Sequence, residues 1–247
     1  MRSMRNLRLD LCYEGTRYRG WQRLANTENT IQAKLEQALS RILGESIEVS
    51  ASGRTDAGTH ARCQVVSFHC ESTMPCEEIL LNLRRYLPED IGIYSCKNVS
   101  PRFHARLNAK TKTYVYRLWN SEQPCVFDRR FVFVDPRPLD LSAMEQAASY
   151  LLGEHDFSAF CANKNMKKST VRYIESFSIH RSENEIIFTV TGNGFLHHMV
   201  RIMVGTLLEV GRGERKAECI PMLFGGKRSD AGELVPACGL CLMEVTY

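Results

Sequence analysis

Leu7, Leu9, Leu11 and Tyr13 alternate with Arg8, Asp10 and Cys12, and this period of two makes the first segment of the chain a half-buried strand. A sheet must then form, and its apolar face needs a cover. The cover follows directly. Asn29 or Thr30 caps a helix that puts Ile31, Leu35, Ala38, Leu39 and Ile42 on one face, with Gly44 as its stop. Residues 47–51 and 63–70 have the apolar and β-branched content of strands. A second helix over residues 77–87 groups Ile79, Leu80, Leu83 and Leu87 and ends before Pro88, after which residues 91–99 return as a strand. The order strand, helix, strands, helix, strand describes an α+β sandwich with helices on one face of a mainly antiparallel sheet.

The same order recurs in the second half of the chain. Residues 113–119 read as a strand, and Ser142 with Glu145 forms a capping box for a helix stopped by Gly153. Residues 174–181 and 186–192 make a hairpin, residues 195–210 a long apolar helix, and residues 239–247 a closing strand. We therefore expect two related α/β domains of ferredoxin or RNA-recognition-motif type, residues 1–104 and 105–247, with an active cleft between them. With 44% hydrophobic residues in 247, a sizeable core is available and disorder is excluded.

Between the second and third strand-like runs stands Gly53-Arg54-Thr55-Asp56-Ala57-Gly58. Two glycines let the backbone turn sharply around one carboxylate and one guanidinium. Such a loop suits a lone Asp nucleophile, and it equally suits an ordinary hairpin turn with a surface ion pair. The apolar helix of the second half carries His197-His198-Met199-Val200-Arg201. Adjacent helical histidines diverge by about 100°, so they make poor joint metal ligands, whereas His197 and Arg201 share a face. A guanidinium among Met199, Val200, Ile202 and Met203 needs an anion, for which Asp56 is a candidate, or a short path to the surface. Tyr114 and Tyr116 point to one face of their strand, either as core or, beside Lys110 and Lys112, as a platform for a splayed base.

The formal net charge of +4 alone implies no polyanion, but its distribution is uneven. Arg102, Arg106, Lys110, Lys112 and Arg117 form one acid-free run and Lys164, Lys167, Lys168 and Arg172 another, which are either solvated faces or phosphate-binding patches. Ten scattered cysteines in a chain this large read as reduced, and Cys238-x-x-Cys241, without a second pair, reads as packing rather than a metal site. Residues 1–8 lack an apolar leader core and no stretch reaches membrane-spanning length, so a cytoplasmic location is expected.

Taken together, these residues resemble the TruA-type tRNA pseudouridine synthases over essentially the whole chain. The matching motifs are Tyr13-Glu14-Gly15 through Gly20-Trp21-Gln22-Arg23, the Gly53 to Gly58 loop with His60, Gln64-Val65-Val66, Phe103-His104-Ala105-Arg106, Tyr114-Val115-Tyr116, residues 152–157, and His197 to Arg201. Cys63 departs from the pattern, since many members have Gly there. The resemblance implies conversion of uridine to pseudouridine at positions 38, 39 and 40 of the tRNA anticodon stem and loop, by a homodimer, with no cofactor and no metal. It further implies Asp56 as nucleophile, Arg201 as the residue that pairs with and orients it, Arg54 as the residue that extracts the base, and Tyr114 as the ring that stacks on the uracil. A non-catalytic RNA-binding protein would share the basic runs, and a metal-dependent hydrolase would draw on His197, His198, Cys238 or Cys241. The first gives no role to the glycine-bracketed Asp56, and metal analysis of the purified protein would expose the second.

Overall fold

The computed structural model describes residues 4–163 and 168–247, so Lys164 and Lys167 of the second basic run lie outside the described residues. The chain divides into two compact units, residues 4–110 with Leu242–Tyr247, and Thr111–Cys241. In the first unit β1 (Arg5–Tyr13), α1 (Ile31–Leu43), β2 (Ser50–Ala51), β3 (His60–Cys70), α2 (Cys76–Tyr86) and β4 (Ile91–Asn98) follow one another. β1 is antiparallel to β3 on one side and β4 on the other, with Leu9 opposite both Val66 and Cys96. Leu7, Leu9 and Leu11 are fully buried, as their alternation requires.

Thr30 is the residue that caps α1, accepting from Ala33 N, and left-handed Gly44 closes it with its N–H on Ser40 O. Glu36 on the buried face accepts from Gln32 Nε2 at 2.9 Å, Val49 N at 3.0 Å and Arg23 Nη1 at 2.7 Å. These bonds shorten the strand expected over residues 47–51. Ile47 N is spent on Ser40 Oγ and Val49 N on Glu36, so only Ser50 and Ala51 pair with β3. α2 ends with Leu87 N–H on Leu83 O, just before Pro88.

The sequence places the division after residue 104; in the structure the first unit also takes residues 105–110 and Leu242–Tyr247. Ala105 N donates to Ser67 Oγ, Tyr247 Oη to Ala105 O, and Lys110 N to Thr246 O.

The second unit holds β5 (Lys112–Trp119), β6 (Phe133–Val134), α3 (Leu141–Ser149), β7 (Gly153–Asp156), β8 (Val171–Ser182), β9 (Glu185–Gly192), α4 (Met199–Gly211) and the short α5 (Ile220–Leu223), and β10 (Leu240–Val245) begins in it. Strands run in the order β5, β9, β8, β7, antiparallel throughout, with β6 parallel to β5. The architecture is α+β with a mainly antiparallel open sheet, as expected.

Three local expectations change. Asp140, not Ser142, caps α3, accepting from Ala143 N at 3.0 Å. That helix ends at Ser149 with Tyr150 as its C-cap, and Gly153 (φ 92°) instead starts edge strand β7, whose Gly-Glu-His-Asp sequence has no apolar alternation to reveal it. α4 begins at Met199 rather than at residue 195, because His198 stands in the left-handed region (φ 63°), where a helix cannot continue. His197 thus precedes the helix and shares no helical face with Arg201.

α4 is buried along nearly its whole length, and the chain around Glu233 crosses it at backbone contact. A Cβ on Gly205 would overlap Glu233 O, and one on Gly232 would lie 2.6 Å from Thr206 Cα. Gly205→Ala therefore sets a helix-propensity gain of about 1 kcal/mol against displacement of packed backbone, which costs about 1–3 kcal/mol or more. Overlap with a carbonyl that cannot rotate away puts the balance on the losing side. We expect a lower urea midpoint at unchanged m-value.

Candidate active site

The loop bearing Asp56 is fixed from both of its ends and from beneath. Ser52 N closes onto Val65 O at 2.8 Å, which continues the pairing of β2 with β3 into the loop. Inside the sheet, Gln64 is fully buried. Its Oε1 accepts from Ser52 Oγ at 2.6 Å and from Val65 N at 3.1 Å, and its Nε2 donates to Gly53 O at 3.0 Å and to Tyr13 Oη at 3.3 Å. Tyr13 Oη lies 2.8 Å from Thr55 Oγ1. Both hydrogens of Nε2 are thus committed, one of them to Tyr13 Oη, which in turn shares a hydrogen bond with Thr55 Oγ1.

Residues after β1 hold the other side of the loop. Trp21 N donates to Thr55 O at 3.0 Å, Gly58 N to Tyr18 O at 3.4 Å, and Gly15 N to His60 Nδ1 at 3.0 Å. A Cβ on Gly15 would overlap Thr59 O, and one on Gly20 (φ 90°) would come 2.8 Å from Thr55 O, so each approach requires glycine. Thr59 N turns back onto Asp56 O at 3.1 Å. Burial, with Asp90 Oδ1 accepting its hydrogen at 2.6 Å, pushes the Tyr18 phenol up to about 12, so that anchor keeps its proton through the neutral range.

The outcome is a sharp division among three consecutive residues. Arg54 is exposed, Thr55 is buried and fixed through both side chain and carbonyl, and Asp56 is half-buried. A carboxylate so placed is accessible on a backbone that cannot drift, as covalent or general-base chemistry requires. The anchors Ser52, Thr55 and Gln64 were not assigned roles from sequence. The available signal was a Gln in a strand otherwise apolar at its centre, where burial demands partners.

Tyr114 and Arg201 belong to the second unit. Tyr114 lies in β5 opposite Val190, 7% exposed, with its ring edge-on to Phe195 at 5.2 Å. Tyr116, on the same face, is fully buried and donates to Pro236 O at 2.8 Å, so of the two tyrosines it is the core residue. Arg201, in the first turn of α4, is part-buried and donates through Nε to Val235 O at 2.8 Å, which sets the direction of its guanidinium. The rings of His197 and His198 lie 3.7 Å apart, not divergent, because neither is helical.

Among the motif residues 152–157, His155 stacks on Phe224 at 4.0 Å and Phe157 is fully buried, a packing role. Cys238 Sγ donates to Val132 O, and burial pushes its thiol up, which keeps it a hydrogen-bonded thiol.

Of the first basic run, Arg102, Arg106 and Lys110 are exposed. Arg117 is not available to phosphate. It pairs with Glu185 at 2.6 Å and Asp128 at 3.4 Å, acids that the sequence run did not contain.

Against known proteins, the family model described as tRNA pseudouridine synthase matches residues 12–108 and 147–247. The chain belongs to this family. It is 42% identical over 245 residues to "tRNA pseudouridine synthase A 2" of Bacillus cereus and 46% identical over 245 residues to "tRNA pseudouridine synthase A 1" of Clostridium tetani, covering 99% of this chain and 100% of each relative. It is 44% identical to "tRNA pseudouridine synthase A" of Moorella thermoacetica, over 98% of this chain and 99% of that one. The resemblance read from the motifs therefore holds at full length. As a tRNA pseudouridine synthase the chain is an isomerase that converts uridine to pseudouridine in tRNA. Among the described residues no helix is long and apolar enough to cross a membrane.

The clamp predicts a difference between two left-handed glycines. A Cβ on Gly44 would meet nothing within 4 Å, so Gly44→Ala bears only the left-handed strain, about 1–2 kcal/mol. Gly20→Ala adds the clash with the Asp56 loop, roughly 1–3 kcal/mol more. Denaturant unfolding of the two variants should show this gap.

Proposed function

We propose that the chain forms pseudouridine at positions 38, 39 and 40 of the tRNA anticodon stem and loop, with Asp56 as nucleophile. The observation that carries this reading is the half-exposed carboxylate of Asp56 on a loop immobilised at Gly53, Thr55 and Gly58. The residue-by-residue resemblance supplies the remaining roles. Arg201 provides the counter-charge that orients Asp56, Arg54 takes the place of the extracted uridine, and Tyr114 stacks on the uracil. The enzyme acts as a cytoplasmic homodimer that binds tRNA across both subunits and needs no cofactor.

The chemistry follows from the bonds exchanged. The N1 to C1′ bond breaks, the ring turns in place, a C5 to C1′ bond forms, N1 gains a proton and C5 loses one. Asp56, ionised, attacks carbon, either C6 of the ring or C1′ of the sugar, and so holds an intermediate through the turn. Extraction of the base costs a few kcal/mol, which phosphate contacts from exposed residues such as Arg102, Arg106 and Lys110 offset.

Two measurements test the proposal. Asp56→Asn keeps the shape of the side chain but not the nucleophile, so pseudouridine mapped at positions 38, 39 and 40 of an unmodified tRNA transcript should vanish while tRNA affinity stays within a few-fold. A rate near wild type would remove Asp56 from the mechanism. Tyr114→Phe retains the stacking face and should bind tRNA normally, whereas Tyr114→Ala should lose about 1–3 kcal/mol of affinity. Equal binding by both variants would make Tyr114 a core residue only.

A further inference from the structure

We propose that Tyr13 and Gln64 are positioning residues for the reaction, setting its rate through the backbone that carries Asp56. The proposal rests on the reading of Asp56 as nucleophile. Its physical basis lies wholly in the first unit. Gln64 is the junction where four hydrogen bonds meet, two of them on loop residues, Ser52 and Gly53. A third reaches Tyr13, whose hydroxyl continues to Thr55, the residue just before Asp56.

Gln64 Nε2 donates to Tyr13 Oη, and Tyr13 Oη and Thr55 Oγ1 share the next hydrogen bond. The side chains of Tyr13, Ser52, Thr55 and Gln64 are all buried, so water cannot replace a lost link. Neither Tyr13 nor Gln64 is exposed to a substrate, since they are 4% and 0% accessible. Their influence must pass through the loop. A polar chain inside β1 and β3 thereby becomes a device for holding one half-exposed carboxylate.

The two residues can be perturbed without changing the fold's volume. Tyr13→Phe removes only the hydroxyl and so separates Thr55 from Gln64. Gln64→Glu is isosteric, keeps the acceptors for Ser52 and Val65, and places an acceptor oxygen against Gly53 O in place of a donor. Thr55→Val cuts the same chain at its other end. Each change lets the residue before Asp56 shift by a fraction of an ångström, and misplacement on that scale lowers reaction rates by about 10- to 100-fold.

The test is single-turnover pseudouridine formation on an unmodified tRNA transcript, with tRNA affinity and Tm measured on the same preparations. Tyr13→Phe and Gln64→Glu should lower the rate constant of the chemical step by about 10- to 100-fold and leave tRNA affinity within about twofold. The double variant Tyr13→Phe/Thr55→Val should be no slower than the slower single variant, since both cut one chain. Ile79→Val, a core change in α2 remote from the loop, gives the control for lost stability and should keep the wild-type rate at a comparable small drop in Tm. If it slows the reaction as much as Tyr13→Phe, the network is merely structural and the proposal is overturned.

A wild-type rate for Tyr13→Phe and Gln64→Glu, with Asp56→Asn inactive, overturns the positioning role and spares the nucleophile. An active Asp56→Asn removes the nucleophile assignment, and the positioning role falls with it. Should Gln64→Glu fail to fold, Thr55→Val, which keeps shape, decides by the same rate measurement.

Discussion

A primary amide buried in a sheet is tolerated when each of its four hydrogen-bonding positions is filled, and at Gln64 each of them is. An apolar residue there would give a simpler core. The amide gives coupling instead, because strand β3, the end of β1 and the loop from Ser52 to Thr55 must all be in place before any of these bonds is satisfied. Partial satisfaction is worse than none in a low-dielectric interior, so alternative loop conformations are raised in energy together. Glu36 does the same for the neighbouring connection, gathering Arg23, Gln32 and Val49 around one buried carboxylate. Between Tyr13 and Arg23 runs the segment that carries Gly20 and Trp21, whose backbone meets Thr55.

Glycine supplies the second constraint, in each unit separately. Hydrogen bonds fix direction but allow some play in distance, whereas backbone laid directly on backbone allows very little. Gly15 and Gly20 let the β1 to α1 connection close on Thr59 and Thr55, and Gly205 and Gly232 let the chain near Glu233 close on α4. The second closure also carries Val235, whose carbonyl holds the Arg201 guanidinium. In both units, then, a side chain with a proposed part in the reaction is placed by backbone that touches glycine.

The elements most legible in the sequence were those whose burial is periodic. β1, α1 and α2 fell where the alternation and the helical spacing put them, because one face of each is packed and the other is not. Legibility failed where backbone groups find partners outside regular structure. The strand over residues 47–51 contracts because Ser40 and Glu36 take its amides, and α4 starts late because His198 is left-handed. The Asp56 loop was conspicuous from its glycines, but its anchors were not, since a Gln, a Ser and a Thr become meaningful only when folding brings them to one point. Charge runs misled in the same way: Glu185, 68 residues along the chain, neutralises Arg117.

The rigidity of this loop bears on how the reaction spends binding energy. A nucleic-acid duplex resists loss of a base by a few kcal/mol, and the contacts that overcome this resistance are mostly exposed ion pairs with phosphate, individually weak and screened by salt. A nucleophile on a disordered loop would draw further on the same contacts, because immobilising each residue costs about 1–2 kcal/mol of backbone entropy. In this chain that cost is met during folding, by Gln64, Tyr13 and the glycine contacts, before any tRNA arrives. Under the proposed mechanism the phosphate contacts are then left to extract and hold the base, with the carboxylate of Asp56 already in place when the ring reaches it.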